Sequence, residues 1–84
     1  MRVIPIKGEP TRFYVQSATN PDREYLVDID AYDCIGQCAC PNFTFNLNKH
    51  LRHGRRGNQF RCKHIEAARD YALNLTLKLH RLQK

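Results

Sequence analysis

The sequence predicts a small α+β domain of ββα type, in which an N-terminal antiparallel hairpin and a short third strand pack on a C-terminal helix. Three observations carry this expectation. Thr11–Ala18 and Glu24–Asp30 each alternate apolar and polar residues across a turn-forming Thr19-Asn20-Pro21-Asp22. From Cys62 onward, Ile65, Ala68, Ala72, Leu75, Leu79 and Leu82 recur at helical spacing. Two tight pairs of metal-ligand residues, Cys38-Ala39-Cys40 and Cys62-Lys63-His64, lie between and at the junction of these parts.

The chain has 84 residues and a formal net charge of +6. That length supports one domain with a modest core, a size at which folds are commonly stapled by metal or disulfide. Met1–Pro10 carries Pro5, Gly8 and Pro10, so an arm or short edge strand is expected there, ahead of a single domain over residues 11–84. In the first strand Phe13 and Val15 share one face and Tyr14 and Gln16 the other. In the second, Tyr25, Val27 and Ile29 alternate with Leu26, Asp28 and Asp30, which puts those acids on the solvated face rather than in a catalytic pair. Tyr32–Gln37 reads as a turn leading to the first pair, with Gly36 free to bend. Cys34 is expected to be a small buried residue, with a substitute ligand or a redox thiol as alternatives.

In an extended strand, residues two apart point to the same face, so Cys38 and Cys40 can aim both sulfurs at one ion while Ala39 faces away. In a helix, residues two apart diverge. Cys62 and His64 therefore place the helix start at themselves, Cys62 just before it and His64 in its first turn. Three thiolates and one imidazole make the donor set of a tetrahedral structural zinc site. The site would carry one net negative charge, which a helix N-terminus and the neighbouring Arg61 and Lys63 favour. The competing readings are buried or redox-active thiols and disulfides. No secretory leader is visible in Met1–Pro10, which weighs against disulfides and points to an intracellular protein. Ligand thiolates are needed before metal binds, and the metal-free chain is expected to be largely unfolded.

These residues resemble the SWIM zinc-finger family: C-x-C, then C-x-H after a variable gap, with hairpin strands before and a helix after. The resemblance rests on Tyr25-Leu26-Val27, on Cys38-Ala39-Cys40-Pro41-Asn42-Phe43 and on Cys62-Lys63-His64-Ile65-Glu66-Ala67, and covers about residues 11–75. It implies zinc ligation by Cys38, Cys40, Cys62 and His64, and binding to DNA or to other proteins. Fingers of this family occur within transposases, remodelling-type ATPases and recombination factors.

Residues 41–61 form a basic insertion between the ligand pairs. Phe43 and Phe45 are expected to cover the zinc site or the core. Lys49, Arg52, Arg55, Arg56, Arg61 and Lys63 follow without an acid among them, whereas residues 1–40 hold four Lys/Arg against six Asp/Glu. This run reads as a flexible loop touching phosphates of a nucleic acid, most naturally DNA. His50 and His53 have a spacing open to metal, but the C-x-H pair already completes the site, and His80 is a weaker candidate still. The tail from Leu73 to Leu79 also alternates, so a strand competes with helix there; one helix to about Arg81 is preferred. Leu73 and Leu77 fall outside the main apolar stripe and suit a protein partner or self-association. No apolar run approaches a membrane span, and with four protein ligands closing the zinc sphere no enzymatic role is expected.

Overall fold

The computed structural model describes the backbone of residues 1–82 and the side chains of residues 1–77. Four strands, β1 (Val3–Ile6), β2 (Glu9–Gln16), β3 (Glu24–Asp28) and β4 (Gln37–Cys38), form one antiparallel sheet in the order β1-β2-β3-β4. A short helix α1 (Asn48–Arg52) lies in the insertion, and a long helix α2 (Lys63–Leu82) closes the chain. The small α+β architecture expected from the sequence is present. Among the described residues, no helix is long and apolar enough to cross a membrane.

Register explains the core. Phe13 stands opposite Val27, which in turn stands opposite Cys38, so one inward row runs across β2, β3 and β4 to the first thiol. Phe13, Val15 and Val27 are buried and meet Ile65 and Ala68 of α2 in the same cluster. The ring of Tyr71 stands edge-on to Phe13, with centroids 5.8 Å apart. The outward residues Tyr14 and Leu26 are exposed. The residues before Glu9 form the edge strand β1, which pairs Val3 with Val15.

Two strand ends fall earlier than the alternation suggests, and side-chain oxygens are the reason. Ser17 Oγ accepts the N–H groups of Thr19 and Asn20, which turns the chain before β2 can reach Ala18. Asp28 Oδ1 accepts the Asp30 N–H at 2.9 Å and ends β3 in the same way.

Much of the insertion takes helical structure, with residues 53–57 as the loop between its turns. Phe43–Leu47 makes a wide helical turn that runs into α1, and Asn58–Phe60 a single tighter turn. Phe43, Leu47 and Leu51, four residues apart, lie along this segment; Phe43 and Leu51 are buried and Leu47 packs beside them. Phe45 lies off that stripe and is 73% exposed, so it covers neither the core nor the thiols.

Tyr32, Asp33 and Cys34 take φ of 53°, 56° and 69°, a left-handed turn in three consecutive residues with side chains. Such backbone costs about 1–2 kcal/mol per residue. Cys34, expected to be buried, is exposed there, with Sγ 3.5 Å from Asp30 Oδ1. The tail of α2 is helical to Leu82. Leu75, expected on the buried stripe, is instead exposed, as are Leu73 and Leu77. The side chains of Leu79, His80, Arg81 and Leu82 lie outside the described residues.

Candidate metal centre

Cys38, Cys40, Cys62 and His64 converge, with one ligand atom from each lying within 4.8 Å of all the others. All four residues are buried. The edges of a tetrahedron around a small divalent cation are ~3.5–3.8 Å for sulfur and nitrogen donors. The gap from Cys62 Sγ to His64 Nδ1 is 3.8 Å. The donor set and its spacing therefore fit a metal ion.

Local structure places each donor as their spacing suggested. Cys38 ends β4, and the Cys40 N–H points at its sulfur at 3.4 Å. The Phe43 N–H points at the Cys40 sulfur at the same distance, so a backbone donor faces each of these sulfurs. Helix α2 begins at Lys63, immediately after Cys62, and His64 lies in its first turn. Tyr25 of β3 stands edge-on to the His64 ring at 5.1 Å.

The metal-free cluster shares its protons unevenly. Hydrogen bonds from Cys38 and then Cys62 hold the Cys40 thiol far below the usual thiol range. The Cys38 thiol is driven up by its bond to Cys40, then by Cys62 and by burial. At Cys62 the bond to Cys38 acts downward, but Cys40 and burial outweigh it and the net direction is up. Metal binding must therefore displace protons from Cys38 and Cys62. The sign follows: affinity rises with pH and falls on acidification, by ~tenfold per pH unit for each proton displaced. Competition against a chromogenic chelator across a pH series measures this slope. His64 Nε2 meanwhile accepts the Ala18 N–H at 3.2 Å.

His50 and His53 stand apart from this cluster. His50 stacks on Phe60 at 5.2 Å and receives Arg55 Nη1 at 2.6 Å. Cys34 is not among the converging donors either.

The six cations proposed as phosphate contacts divide into two kinds. Lys49, Arg52, Arg55 and Lys63 are on the surface. Arg61 turns inward: its Nε donates to the Ile35 carbonyl and its Nη2 to the Cys34 carbonyl, each at 2.8 Å. Arg69 donates to the same Cys34 carbonyl at 2.9 Å. Arg56 pairs with Asp33 at 2.9 Å and lies over the Tyr32 ring, 5.6 Å from its centroid. Arg61 is thus a strut of the left-handed turn, and Arg56 leans on the same turn from the surface. The reason is local: that turn leaves carbonyls without partners, and guanidinium can reach two at once. Arg69, which the sequence did not single out, is part of the same brace.

Arg61→Ala should consequently destabilise the metal-loaded protein by about 1–2 kcal/mol, since it leaves the part-buried Ile35 carbonyl unpaired while Arg69 still donates to that of Cys34. Arg52→Ala should stay within about 0.5 kcal/mol of the parent. Denaturant midpoints of the two variants separate the roles.

Comparison with family models, with curated proteins and with solved structures returned no match. What the chain itself establishes is a small α+β domain with a buried three-cysteine, one-histidine cluster fit to hold a metal ion.

Proposed function

We propose that the chain is a zinc finger of the SWIM type, in which one structural zinc ion is held by Cys38, Cys40, Cys62 and His64 and the basic insertion binds nucleic acid, DNA first. The cluster supports the metal half: thiolates select a soft ion, and four protein donors leave no open position for catalysis. The zinc fixes the end of β4 to the start of α2 and so positions the insertion that connects them. Its role is mechanical, and the proposed activity is binding rather than turnover.

The observation that carries the second half is the charge of the ordered insertion. Among the described residues, its one ion pair is Arg56 with Asp33. Arg61 bonds to carbonyls, which leave its charge in place. Lys49, Arg52, Arg55 and Lys63 are exposed cations on or beside an ordered scaffold, the arrangement that attracts phosphates with little sequence readout.

Fluorescence anisotropy of zinc-loaded protein on labelled duplex and single-stranded DNA tests this. Binding should weaken by about 0.9 log unit per log unit of salt for each duplex phosphate contacted. Replacing Lys49, Arg52 and Arg55 together by alanine should flatten that slope while the helical signal persists. Absence of binding at low salt rejects the nucleic-acid reading.

A second reading has its own observation. Leu73 and Leu77, four residues apart on one face of α2, are 60% and 50% exposed. On this reading the helix docks on a protein partner or a second copy. Loss of function in a Leu73→Ser, Leu77→Ser protein that still binds DNA normally would favour it.

A further inference from the structure

The cluster is not equally shielded on all sides. A cleft of about 340 Å³ lies against it, walled by the turn residues Ser17, Ala18 and Thr19 on one side and by Pro41 and Asn42 on the other, with Tyr25 behind. Three of the four donor residues, Cys40, Cys62 and His64, line this cleft. His64 is the least buried of the four, at 8% exposure against 2–4% for the cysteines. A second cleft of about 350 Å³ also borders the cluster, but the one donor residue lining it is Cys38, beside the fully buried Phe43.

We propose that the metal ion enters and leaves through the cleft between Ser17–Thr19 and Pro41–Asn42, and that a small soft-donor ligand, a thiol or a nitrogen chelator, binds there and displaces His64 first. This inference rests on the metal reading of the cluster. Accessibility and charge point the same way. An incoming donor can approach where three ligands are reachable at once. Of these, His64 is the neutral one, and an imidazole leaves a cation at lower electrostatic cost than a thiolate does. The exchange balances simply: the incoming donor would supply the lone pair that His64 withdraws. Zinc would then be removable from the folded domain, not only from the unfolded chain.

Stopped-flow transfer of zinc from the full-length chain to a chromogenic pyridylazo chelator tests this. The parent should release zinc at a rate that rises with chelator concentration while the helical signal is still present. Thr19→Trp fills the cleft from one wall and Asn42→Trp from the other. Either should slow transfer by about tenfold, or about 1.4 kcal/mol on the barrier, with zinc affinity unchanged. Thr44→Trp, in the cleft on the Cys38 side, should transfer at the parental rate. A rate independent of chelator concentration, or equal slowing by Thr44→Trp, overturns the proposal, since release then proceeds by unfolding or from the other side. Failure of the parent to bind one zinc ion per chain rejects the metal reading itself, and the proposal with it. The Asn42→Trp protein keeps the comparison decisive if Thr19→Trp does not fold.

Discussion

Cys62→Ser should abolish the fold at neutral pH. Among the described residues, eleven apolar side chains are buried, and three of those are the thiols themselves. What remains is a core of eight, drawn from the inner sheet row, Ile35 of the turn before β4, the insertion and one face of α2. A core so small rarely supplies more than about 3–5 kcal/mol unaided. Structural zinc contributes roughly 10–16 kcal/mol of apparent binding energy in finger peptides. Loss of a central thiolate would remove much of that, together with the proposed metal link between the end of β4 and the start of α2. Circular dichroism of the variant should show no cooperative thermal transition, and metal analysis less than one zinc per chain. Cys34→Ser is the matched control: its thiol is exposed and outside the cluster, so stability and zinc content should stay close to the parent. A Cys62→Ser protein with a parental transition and full zinc content would overturn the assignment of this residue.

Gly36→Ala should be the most damaging substitution outside the donor set. Gly36 has φ of +114°, in a region that residues with a side chain rarely adopt. A Cβ there would lie 2.6 Å from Ile65 Cγ2 and 3.5 Å from the Asp28 carbonyl oxygen. Ile65 cannot retreat, because it is fully buried beneath the sheet at the first turns of α2. Backbone strain of about 1–3 kcal/mol and overpacking of a similar size together predict a loss of roughly 2–6 kcal/mol. Gly8→Ala separates the two causes. Gly8 has φ of +82° but open space around it, so the strain alone should appear there. Denaturant midpoints of the zinc-loaded proteins, with unchanged m-values, are the readout.

The donor set is legible because it depends on short-range geometry. Two sulfurs on a strand end and a Cys-His pair at a helix start can each be placed from the spacing of side chains along one element. The hairpin is legible for the same reason: Phe13, Val15 and Val27 alternate with polar neighbours around a turn. The helical segment of the insertion left a trace too, in Phe43, Leu47 and Leu51. The glycines at 54 and 57 and the cations around them gave the stretch the look of a loop.

The fate of individual arginines was not legible. Arg52 and Arg61 are chemically identical in the sequence, yet one is exposed and the other reaches two carbonyls. Those carbonyls belong to a turn 26 and 27 residues away. No local pattern announces that Tyr32, Asp33 and Cys34 will take left-handed backbone, because their own propensities oppose it. Long-range partners must stabilise such a turn, and they exist only once the chain has folded.

The sequence by itself determined the α+β order of elements, the position of the helix start and the identity of the four donors, since each follows from periodicity over a few residues. Tertiary structure alone decided that Cys34 faces solvent and that Arg56, Arg61 and Arg69 brace a strained turn. Those outcomes depend on which backbone groups remain unpaired after the sheet and helix have met, a quantity with no counterpart in the linear chain.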